Sequence, residues 1–307
     1  MWCVRGTRLR LIAVFLAASG VAALGALASG AAASDVIAAD TGAPVSVSVR
    51  APTAELATRL GAALQAIAGD TLRLVDDHPD LVLALGEQPF RQALADRGSA
   101  TEGGPPVLGL AVPRRVADTL ISPGCDCSAL WQGVPLDTQL ALLRKLLPDA
   151  RRIGILRGPN SAWRSIPRAP AGLTLEAVTV PEPALLGTLL RRHLPEWDVL
   201  LLPEDDTLFN AGAARLVLLT SYRQRVPVVG PGGAYVRAGS VASARALITD
   251  LAAGALDALR ARRAGGHWPA PGFAGHYSLA LNEHVADAYD LRYVDRAPLE
   301  QVLEATP

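Results

Sequence analysis

The chain has a single lysine, Lys145, only three cysteines, and few aromatic residues, 5% of its 307. Its cationic side chains are therefore almost all arginine. Alongside the abundant alanine, this reads as nucleotide-composition bias and not as a requirement for guanidinium groups. Past residue 33 there is no block of Lys and Arg, which argues against a nucleic-acid partner, because such binding draws its affinity from basic clusters meeting phosphates. No apolar run after the first thirty residues is long and uncharged enough to span a bilayer. Also absent are G-x-S-x-G, the Walker loop, H-E-x-x-H, and a G-x-G-x-x-G following a strand, so the usual nucleophile, phosphate and zinc signatures are missing. The five histidines, at 78, 193, 267, 276 and 284, are spaced so that no two share a helical turn. No enzyme activity, cofactor or metal is expected.

What is present begins at the N-terminus. Arg5, Arg8 and Arg10 precede an uncharged apolar run over 11–28, and Ala31, Ala32 and Ala33 stand before Ser34. A basic start, an apolar core and an A-x-A site read as a secretory signal peptide, 1–33, that sends the product to the periplasm. The alternative is an uncleaved anchor, since the run is just long enough to cross a bilayer. Its glycines and alanines make it weakly hydrophobic, and the clean A-x-A favours cleavage. The leader carries three arginines and no acids, so 26 basic residues then stand against 29 acidic ones. Cys3 leaves with the leader. Cys125 and Cys127 remain, one residue apart in the loop 122–128. Export makes a disulfide or redox-labile pair the favoured reading. Metal binding is the other, and two thiolates with no companion pair fall short of a tetrahedral set.

From residue 45 onward, short apolar runs alternate with helix-period segments. Strands are expected at 45–49, 72–75, 81–85 and 106–112, with helices over 54–68 and from Gly86 to about 95. A second series starts at Asp137, read as an N-cap, with a leucine-rich helix stopped by Pro148. Strands follow at 152–156, 173–180, 198–202 and 226–229, with helices over 183–193 and 211–224. A long helix is expected over 243–263, then a Gly/Pro break, a strand at 276–281 and a helix at 283–290. Two such series predict an α/β protein of two Rossmann-like lobes with parallel sheets, each covered on both faces.

Two strand ends stand out. The strand at 198–202 runs into Glu204, Asp205, Asp206 and Thr207, at the carboxyl edge where open α/β sheets bind ligands. Those acids could equally cap the helix at Ala211. The strand at 226–229 runs into Gly230, Pro231, Gly232 and Gly233 ahead of Tyr235, where backbone can approach a ligand closely and a ring can stack on it, or where the chain simply turns.

Particular segments resemble a known family. QLALLRKLLPDARRIGIL (139–156), DVLLLPEDDTL (198–208), PVVG (227–230), RAGSVAS (237–243) and the stretch from Leu281 and Asn282 to Leu291 are similar, in order, to landmarks of ABC-transporter substrate-binding proteins of the tryptophan/tyrosine-type group. The resemblance runs from about residue 43 to the end. It implies the type I periplasmic binding fold, with lobes joined by a hinge of three segments, one lobe 43–133 plus 244–266 and the other 134–243 plus 267–307. It also implies a periplasmic solute-binding role in which a small molecule, held between the lobes, is passed to an ABC permease in the inner membrane. On that mapping the ligand-binding residues are Gly86, Gln88, Trp131, Asp205, Thr207 and Tyr235, with Asp205 at the family's aspartate, an acidic residue there suiting an amine or amino group and Arg157 a carboxylate. The chain departs from the family at Arg157 to Asn160, at Pro231-Gly232 and over 113–130, all cleft-facing loops, so the ligand need not be an aromatic amino acid. Alternatives are an envelope interaction or sensory module on the same fold, and an exported α/β enzyme using the acidic turn.

Overall fold

The computed structural model describes residues 43–97, 103–291 and 295–304; the expected leader, 1–33, lies outside them. The first sheet contains β1 (Val45–Arg50), β2 (Leu72–Leu74), β3 (Leu81–Leu85), β4 (Val107–Val112) and β5 (Cys127–Trp131), all parallel, in the order β2-β1-β3-β4-β5. Every residue of β3 is buried, as a central parallel strand covered on both faces must be. One face packs on α1 (Ala54–Ala68), through Leu60 and Leu64, and the other on α2 (Glu87–Asp96) and α3 (Arg114–Leu120), through Phe90 and Val116. Thr53 starts α1 by accepting the amide of Leu56 at 3.3 Å.

The second half holds α4 (Leu136–Leu146), β6 (Arg152–Arg157), β7 (Thr174–Thr179), α5 (Leu186–His193), β8 (Val199–Leu201), α6 (Ala211–Gln224), β9 (Val228–Val229), α7 (Gly233–Ala238), β10 (Ala242–Arg245), α8 (Ile248–Gly265), β11 (Ser278–Leu281), α9 (Glu283–Ala288) and α10 (Arg296–Glu304). Its sheet runs β11-β10-β9-β8-β6-β7. Leucines of α4 and α10 cover one face, and α5 and α6 cover the other. The lobes exchange chain three times. The first passage joins β5 to α4. The second joins β10 to α8, whose Leu251, Ala252 and Ala255 complete the first core. The third follows α8: residues 268–274 run beside β5, with the Trp131 amide donating to Gly272 at 2.6 Å and the Gly272 amide to Ala129 at 3.1 Å, and the chain then enters β11.

Several expectations are corrected. The helix expected over 243–263 begins only at Ile248, because 242–245 is a strand whose Ala244 is bracketed by the Gln139 side-chain amide, donating at 2.9 Å and accepting at 3.2 Å. The second sheet is not wholly parallel: β11 runs antiparallel to β10. Asp137 is not the cap of α4; Pro135 holds that position and Asp137 lies in the first turn, where its charge suits the helix's positive end. The strand β2 is an edge in which only Leu72 is buried.

Candidate functional site

The strands of both sheets end toward one another, so the loops after them meet between the lobes. After β4 come Pro113, Arg114 and Arg115; after β5, Gln132 and Gly133; after β6, Gly158 and Asn160; after β8, the acidic turn. Together Arg114, Arg115, Gln132, Asn160, Asp205 and Thr207 line a space of about 50 Å³ between the halves. Three links cross it or border it. Arg114 donates to the Ala162 carbonyl at 2.9 Å, Gln132 to Asp206 at 3.1 Å, and Arg164 is ion-paired with Asp118.

The acidic turn is built by its own hydrogen bonds. One oxygen of Asp205 accepts the amides of Thr207 and Leu208, each at 3.2 Å, and the Thr207 hydroxyl. The helix α6 is capped instead by Asn210, which accepts from Gly212 and Ala213 at 3.0 and 3.1 Å. The acids are therefore not needed as caps: the second Asp205 oxygen lies against Gly158, and Asp206 accepts from Gln132. Burial, and secondarily the charge of Asp206, pushes the Glu204 carboxyl up to about 7. That a glutamate beside glycines would titrate near neutrality was not visible in sequence, because its enclosure comes from Gly133 of the β5 passage and Gly232 of the β9 loop.

A second cavity, of about 490 Å³, opens beneath this turn within the second lobe, walled by Glu204, Asp205, Phe209, Pro231, Gly232 and Tyr235. Phe209 meets Tyr235 edge to face, ring centres 6.3 Å apart. Burial raises the Tyr235 phenol above its ordinary value, so it stays protonated.

The structure thus brings Asp205, Thr207 and Tyr235 together. Gly86 takes the positive φ of 87° that lets β3 turn into α2, while Gln88 is exposed on that helix, and neither lines the two cavities. Trp131 stands beside them, but one face is covered by the Arg114 guanidinium 4.2 Å from its centroid and its edge meets Phe273 at 5.2 Å. Arg157 donates to the carbonyls of Trp163 and Arg164 and so shapes its own loop, which corrects its expected role toward a carboxylate. Cys125 and Cys127 are joined by a disulfide, Cα atoms 5.2 Å apart, on the first lobe and away from both cavities. Arg114, Arg115 and Gln132 were missed; the signal that could have found them is the same strand-end rule applied to 106–112. Among the described residues no cluster of three or more His, Cys, Asp or Glu could hold a metal ion, and no helix is long and apolar enough to cross a membrane.

No protein-family model matches the chain, and no curated protein matches it. Solved structures do. A substrate-binding protein with adhesive properties from Clostridium difficile, in its ligand-free, open form, superposes with a TM-score of 0.58 at 15% identity, over 82% of this chain and 97% of that one. An ABC domain from Streptococcus pneumonia in complex with L-Trp gives 0.51 at 19% identity, over 80% and 95%. A conserved domain protein from Vibrio cholerae gives 0.51 at 20% identity, over 84% and 97%. The chain has the type I periplasmic-binding-protein fold. The chain has two sheets, and the acidic turn and Arg114 line the same small space.

Proposed function

We propose that the chain is an exported, non-enzymatic solute-binding protein that captures a small molecule between its lobes and presents it to an ABC permease in the inner membrane. The observation that carries this reading is the convergence of strand-end loops from both halves on one polar space, with Arg114, Arg115 and Gln132 facing Asn160, Asp205 and Thr207. On this reading the lobes are 43–133 plus 244–266 and 134–243 plus 267–307, except that 244–245 complete β10 of the second sheet and 268–274 lie along the first sheet's edge. The leader 1–33 carries the product to the periplasm, and no cofactor takes part. Hinge bending opens the cleft, a ligand binds better to the shut form, and the population shifts toward it. The similar structures that hold L-Trp or belong to a substrate-binding protein are consistent with such capture. The test is a thermal-shift panel of amino acids, amines, sugars and peptides on the purified chain: a solute at a hundred times its Kd should add about 2.7 kcal/mol of stability. A panel without any shift rejects the reading.

The second reading is an envelope interaction or sensory module without a solute. It is favoured by the small interlobe volume of about 50 Å³, in which Arg114 already bridges the halves. A partner that co-purifies with the solute-free chain supports it.

A further inference from the structure

We propose that the outer face of α5 and α6 is a docking surface for an anionic phospholipid bilayer. This goes beyond the solute-binding reading and does not depend on it.

The apolar part of the face is a cluster. Among the described residues six large hydrophobic side chains are exposed, and four of them, Leu185, Leu216, Leu219 and Tyr222, stand on α6 or at the start of α5. On α6 the exposed residues Arg215, Leu216, Leu219, Tyr222 and Arg223 recur at spacings of three and four, so they share one side of the helix, while Ala214, Val217 and Ser221 are buried on the other. Single exposed leucines are ordinary, whereas several gathered on one face mark a contact surface.

The charge of the face has one sign. Neither helix contains Asp or Glu, and Arg191, Arg192, Arg215 and Arg223 are all exposed. Among the described residues none of these four arginines has an ion-pair partner, although Arg152 and His193 at the border are paired with Glu196 and Glu176. The cationic area ends past Tyr222, whose ring meets that of Tyr289 at 6.4 Å, beside Asp287 and Asp290. The whole chain has 29 basic and 29 acidic residues, so this concentration of cations is local.

These features select the occupant. A second copy docked on the same face through a two-fold axis would set arginines against arginines. A partner helix or strand would need a groove, and the seam between α5 and α6 is closed: Leu216 and Arg191 each come within 3.4 Å of where a Cβ on Gly187 would stand. A broad anionic surface satisfies both conditions. The leucines and the tyrosine ring enter the headgroup region, and the arginine stems follow them while their guanidinium groups meet lipid phosphates. The face lies along one side of the second sheet, and the strand-end loops are no part of it.

Vesicle flotation tests this on the chain from Ser34 onward, which keeps both sheets and lacks the apolar run of the expected leader. Phosphatidylcholine vesicles with about 30% phosphatidylglycerol should carry about fivefold more protein than phosphatidylcholine alone, and about 0.5 M salt should remove most of the difference. The double variants Leu219→Ser with Tyr222→Ser, and Arg215→Gln with Arg223→Gln, should each lower the bound fraction about fivefold. Both should keep the parent's melting temperature, because all four side chains are exposed. Arg215→Lys with Arg223→Lys should still bind. Equal recovery with the two vesicles, no binding to either, or undiminished binding by either of the first two double variants overturns the proposal. If the chain ignores vesicles but forms a dimer, or a complex with an acidic protein, that the same variants abolish, the face belongs to that partner and the proposal is overturned.

Discussion

Glu204 is a side chain whose state changes near neutral pH. It is faced by Asp205 and Asp206 from its own turn, and by Arg114 and Arg115 across the interlobe space. Its folded carboxyl is held at about 7, above the ordinary 4.5, so the neutral form is favoured in the fold. The stability this confers is complete below about pH 4.5, declines as pH rises, and is gone above about 7. Urea unfolding of Glu204→Gln should therefore lack that part of the parent's decline. At another single position, Gly154 in β6, a Cβ would stand 1.8 Å from the Trp197 ring. Gly154→Ala should cost about 1–3 kcal/mol by overpacking, measured as a lower urea midpoint.

The elements show which local signals were sufficient. The helix α1 has the bounds its spacing predicts, 54–68, because Leu60 and Leu64 recur on one face and Thr53 caps it. The helix α6 likewise runs 211–224, and Asn210→Ala should cost about 1 kcal/mol in thermal unfolding, whereas Asp206→Ala, which is no cap, should not weaken this helix. The segment 242–245 was misread because alanine and serine carry weak strand preference, and what makes it a strand is pairing with β11 and the amide of Gln139, 105 residues away from Ala244 in sequence. Substituting Gln139→Leu should destabilise by about 1–3 kcal/mol, since it leaves the buried Ala244 amide without the Gln139 oxygen, while the carbonyl keeps the Ser243 hydroxyl.

At the scale of the whole molecule, the links between the halves bear on the opening proposed above. The Arg164 and Asp118 side chains are largely exposed, so their pair is worth about 0–1 kcal/mol. Asp118→Ala should then raise the open fraction by at most about fivefold, read as an increase in radius of gyration by small-angle scattering, with the core unchanged. The fold class and the paired βα series were legible in the alternation of apolar runs and helix-period segments, which any chain must bury in layers. The acidic turn at a strand end was legible for the same reason. Which acid titrates, which arginine faces it, and that Trp131 is covered by Arg114 while Gln88 points away were decided only in three dimensions. Periodicity is a property of neighbours in sequence, and it alone specified the layers. The environment of Glu204 is made by Gly133 and Gly232, about seventy and thirty residues distant, and desolvation by such partners exists only once the lobes have packed.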